Sequence, residues 1–164
     1  MLKYLTTDVV FREIPDEITL AINITNCPCR CEGCHSPELR KDIGKDLSQR
    51  ALERLISENS GISCVCFMGG DSEPKTVELL AQVVKMKFPE LKVGWYSGYQ
   101  YFYESIDYQY FDYVKVGPYI KAYGPLDSPT TNQRLFKKMD SIDETTKINT
   151  FSFEDITKKF WKHD

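Results

Sequence analysis

Three cysteines, Cys27, Cys31 and Cys34, lie in the run Asn26-Cys27-Pro28-Cys29-Arg30-Cys31-Glu32-Gly33-Cys34-His35, and their spacing constrains this chain more than any other feature. The pattern is C-x3-C-x2-C, and it follows an apolar stretch, Ile18 to Ile24, that reads as a strand. Three thiolates on one short loop can hold three irons of a cubic [4Fe–4S] cluster. The fourth iron is then left without a protein ligand. An iron with an open position can bind a substrate or cofactor, which a fully Cys-ligated electron-transfer cluster cannot do.

Around that loop, strand and helix signals alternate. Leu47 to Glu58 reads as a helix, with Ala51, Leu52, Leu55 and Ile56 on one face. Ile62 to Met68 is short and nearly all apolar, as a strand buried on both faces would be, and Gly69-Gly70-Asp71 ends it. Pro74 suits the first turn of a helix that runs to about Phe88, with Val77, Leu80, Ala81 and Val84 at helical spacing. Leu91 to Tyr96 is a third strand, stopped at Ser97-Gly98. Tyr113 to Val116 is a fourth, stopped at Gly117-Pro118. This alternation predicts an α/β fold with a mostly parallel sheet. A complete eight-unit barrel needs ~250 residues, so 164 residues predict a partial, open (β/α) barrel. In such folds ligands sit at the carboxyl ends of the strands. The cysteine loop, Gly69-Gly70-Asp71 and Ser97-Gly98 all fall there.

The length fits one domain over residues 1–164, and neither a repeat nor a linker interrupts it. A net charge of −3 gives no reason to expect a nucleic-acid partner. No stretch approaches the ~18 apolar residues of a membrane span. Asp8 and Arg12 break up any apolar core in the opening residues, so no signal peptide is expected. A cytoplasmic location follows as the expectation, and there six cysteines serve as metal ligands or buried thiols rather than disulfides.

Other readings of the cysteines stand beside the cluster. A zinc site could recruit Cys64, Cys66 or His35 as a fourth ligand. Cys31-Glu32-Gly33-Cys34-His35 also matches the haem-attachment pattern C-x-x-C-H, although that attachment normally follows export. Cys29 is out of register with the other three and reads as a bystander thiol. Cys64 and Cys66 alternate with Val65 and Phe67 and read as core. Gly69 and Gly70 would let backbone approach a bound cofactor closely, and Asp71 could accept hydrogen bonds from a cationic amine. Ten of the 19 residues from Trp95 to Tyr113 are aromatic, which suits either a core or a docking face for a partner protein.

C-x3-C-x2-C after the first strand, with Gly-Gly-Asp after the second, resembles the radical S-adenosylmethionine enzymes. Within them, the chain is similar to the activating enzymes of anaerobic ribonucleoside-triphosphate reductase. Cys31-Glu32-Gly33-Cys34 resembles their C-x-G-C, and Gly69-Gly70-Asp71-Ser72-Glu73-Pro74 their G-G-D-P segment. Trp95-Tyr96-Ser97-Gly98-Tyr99 resembles W-x-x-T/S-G-Y, Val114 to Tyr119 resembles V-D-G-x-F, and Thr130 to Arg134 resembles S-x-N-Q-R. Val116 stands where that family shows Asp, and Pro129 where it shows Gly. The likeness covers roughly residues 18–136. Residues 137–164 carry no motif, and Phe153 to Trp161 is expected to form a terminal helix.

The resemblance implies that Cys27, Cys31 and Cys34 hold a [4Fe–4S] cluster and that S-adenosyl-L-methionine chelates the open iron. Gly33, Cys34, His35, Gly69, Gly70, Asp71 and Ser97 would contact that cofactor, with Lys115 pairing its carboxylate. It further implies an oxidoreductase that draws one electron from an external reductant. The electron would release methionine and a 5′-deoxyadenosyl radical, which takes hydrogen from a glycine of the large reductase subunit. Asn132 and Arg134 would face that partner. Two alternatives remain at this level: an activase of another glycyl-radical enzyme or a small-molecule radical enzyme such as a deazaguanine synthase, and a non-enzymatic zinc-binding interaction module.

Overall fold

A computed structural model describes residues 1–161. Its strands are β1 (Lys3–Val10), β2 (Thr19–Ile24), β3 (Lys45–Asp46), β4 (Cys64–Met68), β5 (Lys92–Tyr96), β6 (Tyr113–Val116), β7 (Arg134–Ile142) and β8 (Asn149–Asp155). The helices are α1 (Gln49–Ser57) and α2 (Pro74–Lys87). All eight strands form one sheet in the order β3-β1-β2-β4-β5-β6-β7-β8.

This overturns the expectation of a mostly parallel, partial (β/α) barrel. The sheet is mixed. β1 pairs antiparallel with both β2 and β3, and β7 pairs antiparallel with both β6 and β8. Parallel pairing is confined to β2–β4, β4–β5 and β5–β6. Parallel neighbours need a long crossover, whereas antiparallel ones need only a turn. Just two crossovers here carry an α-helix. The connection from β5 to β6 holds a single short turn, Tyr108–Tyr110, and after β6 the chain returns as a hairpin. The expected terminal helix over 153–161 is also corrected. Its first residues belong to β8, and Thr157–Phe160 makes one 3-10 turn. Phe151 and Phe153 alternate with polar residues, which is a strand period and not a helical one.

The helices form for local reasons. The Ser48 hydroxyl caps α1 by accepting from the Ala51 N–H at 3.1 Å. Pro74 opens α2, where its missing N–H costs nothing. Leu52, Leu55 and Ile56 of α1 and Val77, Leu80, Ala81 and Val84 of α2 pack on one sheet face. That face presents Leu20, Ile22, Val65, Phe67, Val93, Trp95 and Val114. Most of the aromatic segment joins this core. Tyr103, Tyr108 and Phe111 stack around the buried Trp95, while Tyr99 and Tyr101 stay exposed.

The other sheet face carries a smaller cluster, in which Ile14 and Ile156 cover Cys64, Cys66, Tyr113 and Leu135. Cys64 and Cys66 are therefore core thiols, and burial raises both thiol pKa values far above their ordinary range. Among the described residues no helix is long and apolar enough to cross a membrane.

Candidate metal centre

The parallel strands β2, β4, β5 and β6 all end on the same edge, so the loops that follow them converge. The loop after β2 carries the cysteines. It is anchored to residues 39–41, where the Cys27 N–H donates to the Leu39 carbonyl and the Asn26 N–H to the Lys41 carbonyl, each at 3.0 Å. Asn26, Arg30 and Gly33 adopt positive φ, so the chain folds back on itself within eight residues.

Cys27, Cys31 and Cys34 line one cavity of about 200 Å3, together with Gly69, Asp71, Tyr96 and Gly98. Cys29 is not on that wall. Its sulfur packs on the loop after β5, where a Cβ added to Gly98 would meet it at 2.6 Å. The thiol hydrogen bond from Cys29 to Cys27 is the main reason that the Cys27 pKa falls to about 6, while the same bond and burial push Cys29 up. The thiolate is the form that binds metal, and a lowered pKa makes it easier to reach.

Gly69 and Gly70 have φ of +106° and +95°, a region that costs other residues strain. A Cβ on Gly70 would sit 2.5 Å from Val77 Cγ2, so α2 closes directly under the turn. The Trp95 indole N–H donates to the Gly69 carbonyl at 2.8 Å. Asp71 is held by three donors: the Ser97 hydroxyl at 2.5 Å, the Gly98 N–H at 2.9 Å and the Tyr103 hydroxyl at 2.8 Å. Its carboxylate thus locks the loop after β4 to the loop after β5. Tyr103 stays a donor, because burial and the Asp71 charge raise its pKa well beyond the ordinary value.

The remaining expected residues scatter. His35 is exposed, stands 5.6 Å from the Tyr119 ring and lines a second, larger cavity of about 710 Å3 with Arg12, Tyr96 and Phe160. Tyr96 is the wall that the two cavities share. Gly33 faces Tyr119 and Lys121 rather than the cysteine cavity. Ser97 is buried and committed to Asp71. Lys115 lies buried beneath the site, its ammonium 5.8 Å from the Tyr96 ring centre. Asn132 donates to the Pro118 carbonyl at 3.0 Å, and Arg134 donates to the carbonyls of Thr131 and Gln133, each at 3.1 Å. Both residues brace their own loop.

Two arginines that sequence reasoning passed over also line the cysteine cavity, Arg30 and Arg40. Arg40 donates through Nη2 to the Cys31 carbonyl, yet its buried Nε has no partner. Three thiols, an orphaned guanidinium N–H and a cationic surround suit an anionic metal–sulfur group. Among the described residues, no group of three His, Cys, Asp or Glu side chains is arranged to hold a single metal ion. A cluster asks for something different, since each thiolate meets its own iron.

Over residues 18–126 the chain matches the family described as the 4Fe-4S single cluster domain, and it belongs to that family. It is an iron–sulfur protein with a [4Fe–4S] cofactor. No curated protein and no solved structure matches it.

Proposed function

We propose that this chain is a radical S-adenosylmethionine activating enzyme that installs a glycyl radical on the large subunit of anaerobic ribonucleoside-triphosphate reductase. One observation carries the reading: Cys27, Cys31 and Cys34 share a cavity with Gly69, Asp71 and Gly98, so a three-thiolate site and a glycine-lined cofactor wall face each other. When bound, the cluster would supply one electron to S-adenosyl-L-methionine and release methionine and a 5′-deoxyadenosyl radical.

The protein's own residues do the rest. Cys27, Cys31 and Cys34 hold the cluster. Gly69 and Gly98 line the cavity without side chains, and Gly70 lets α2 close under the turn that carries Gly69. Asp71 fixes the loops after β4 and β5 relative to each other, so the cofactor meets a preorganised wall rather than one it must order. Tyr96 separates this compartment from the larger cavity, where a glycine-bearing loop of the reductase would approach.

A second reading is favoured by that larger cavity. At about 710 Å3 it falls within the range of small-molecule sites, which suits a small-molecule radical enzyme. Anaerobic reconstitution with iron and sulfide, then addition of S-adenosyl-L-methionine, dithionite and the reductase, tests both. The activase reading expects 5′-deoxyadenosine together with a carbon-centred doublet in the electron paramagnetic resonance spectrum. Cofactor cleavage without that doublet moves the chain to the second reading. No cleavage by a fully loaded protein ends both.

A further inference from the structure

Among the described residues, Lys115 is a buried cation beside Tyr96, a wall residue of the cysteine cavity, and no anion has yet been assigned to it. It is 8% exposed, and its Nζ donates to the Gly117 carbonyl at 2.9 Å. Among the described residues no carboxylate forms an ion pair with it. The two oxygens of Asp71, whose charge reaches Lys115 through space, are already taken by Ser97, Gly98 and Tyr103. Burial lowers the Lys115 pKa to about 8, and the charges of Asp71, Cys31, Cys29 and Cys27 only partly offset it. A buried ammonium without a counter-charge is costly, so the site is built for an anion that the protein chain does not supply.

Position says which anion. β5 and β6 pair with Tyr96 opposite Lys115, and the ammonium lies 5.8 Å from the centre of the Tyr96 ring. That ring is part of the cysteine cavity wall. Independently, the orphaned Nε of Arg40 is an unpaired donor on that cavity. A cubane held by three thiolates is anionic, and taking up one electron makes it more so. A fixed cation in low-dielectric surroundings therefore favours the reduced form.

We infer that Lys115 is a positioning residue for charge: it is the buried counter-charge of the cluster and raises its reduction potential. This holds whether or not the chain is an activase, because it concerns the cluster and not the substrate.

The test uses the full chain, reconstituted anaerobically and titrated with dithionite in the absence of S-adenosyl-L-methionine. Electron paramagnetic resonance of the reduced cluster gives the ratio of reduced to oxidised forms. K115M keeps the length and loses the charge; K115R keeps the charge. At a fixed solution potential the ratio in K115M should fall about tenfold, equal to about 59 mV for a one-electron couple, while K115R stays within about twofold of wild type. Loss of iron from K115M with full loading of K115R also supports the inference, since the neutral variant then lacks what the anion needs. A wild-type ratio in loaded K115M overturns it. So does equal behaviour of the two variants, either in the ratio or in iron loss, because shape and not charge would then matter. Failure of the activase reading shows separately, as absent cofactor cleavage.

Discussion

The Ser97 hydroxyl donates to Oδ1 of Asp71 at 2.5 Å, and the neighbouring Gly98 N–H donates to Oδ2 at 2.9 Å. One carboxylate therefore fastens the ends of two adjacent parallel strands. Asp71→Ala leaves those donors, and the Tyr103 hydroxyl, without an acceptor in a half-buried setting. Each unsatisfied donor costs about 1–3 kcal/mol when buried, so urea unfolding should show a loss of at least that order. Iron content should stay near wild type and, under the proposed function, S-adenosyl-L-methionine affinity should drop. Wild-type stability in Asp71→Ala would show that the three hydrogen bonds contribute nothing.

The cysteine register gives the second prediction. Cys27→Ala, Cys31→Ala and Cys34→Ala should each abolish stable iron loading, because each removes one wall thiol of the same cavity. Cys29→Ala should load normally, since that sulfur packs against Gly98 instead. Cys64→Ala and Cys66→Ala should also load, at a cost in stability from the buried volume removed. Iron and sulfide analysis after anaerobic reconstitution decides. Loss of iron from Cys29→Ala with retention in Cys31→Ala would assign the ligands differently.

Gly70 separates backbone strain from crowding. Gly70→Ala adds a Cβ 2.5 Å from Val77 Cγ2 at a φ of +95°. Overpacking and a forced left-handed conformation each cost about 1–3 kcal/mol. Gly70→Ala should therefore lower the midpoint of urea unfolding clearly. In a Val77→Ala background the same substitution should cost less, because the crowding is relieved and only the strain remains. Equal costs in both backgrounds would remove Val77 from the explanation.

Much of this arrangement was legible in the sequence, and the losses have identifiable causes. β2, β4, β5 and β6 fall within the stretches read as strands because all four are largely buried and mostly apolar, with Asn23, Lys92 and Lys115 among the polar interruptions. The glycine and cysteine loops stood out because those residue types have few other reasons to cluster. β1 was missed because it is largely exposed after Tyr4 and mixes Thr7 and Asp8 with Val9 and Val10. The β7–β8 hairpin escapes the sequence reading because residues 137–164 carry no motif, and the expected helix from Phe153 begins inside β8. Without those strands, the sequence leaves only the parallel part of the sheet legible. Arg40 and Tyr103 gave no signal at all: their roles exist only once the chain brings them to Cys31 and Asp71 across 9 and 32 residues.

The last prediction concerns acid stability and lies at the opposite end of the parallel strands. Glu17 is buried, with Lys92 donating to Oε1 at 2.5 Å, Ser63 to Oε2 at 2.6 Å and Tyr113 to Oε1 at 2.9 Å. Burial alone would raise its pKa, but the hydrogen bonds from Lys92, Ser63 and Tyr113 outweigh it and hold the pKa below the ordinary glutamate value. A carboxyl whose folded pKa is depressed adds stability that is fully present above its unfolded pKa. That stability disappears as the pH falls through the folded pKa. Glu17→Gln keeps the shape but removes the charge. Its melting temperature should therefore be lower than wild type at neutral pH, by the equivalent of about 1–3 kcal/mol for lost charge-assisted hydrogen bonds. On acidification the two curves should converge, because wild type loses the contribution that the variant never had. A constant gap between them down to strongly acidic pH would mean that Glu17 does not titrate with folding, and that its three partners hold it by geometry alone.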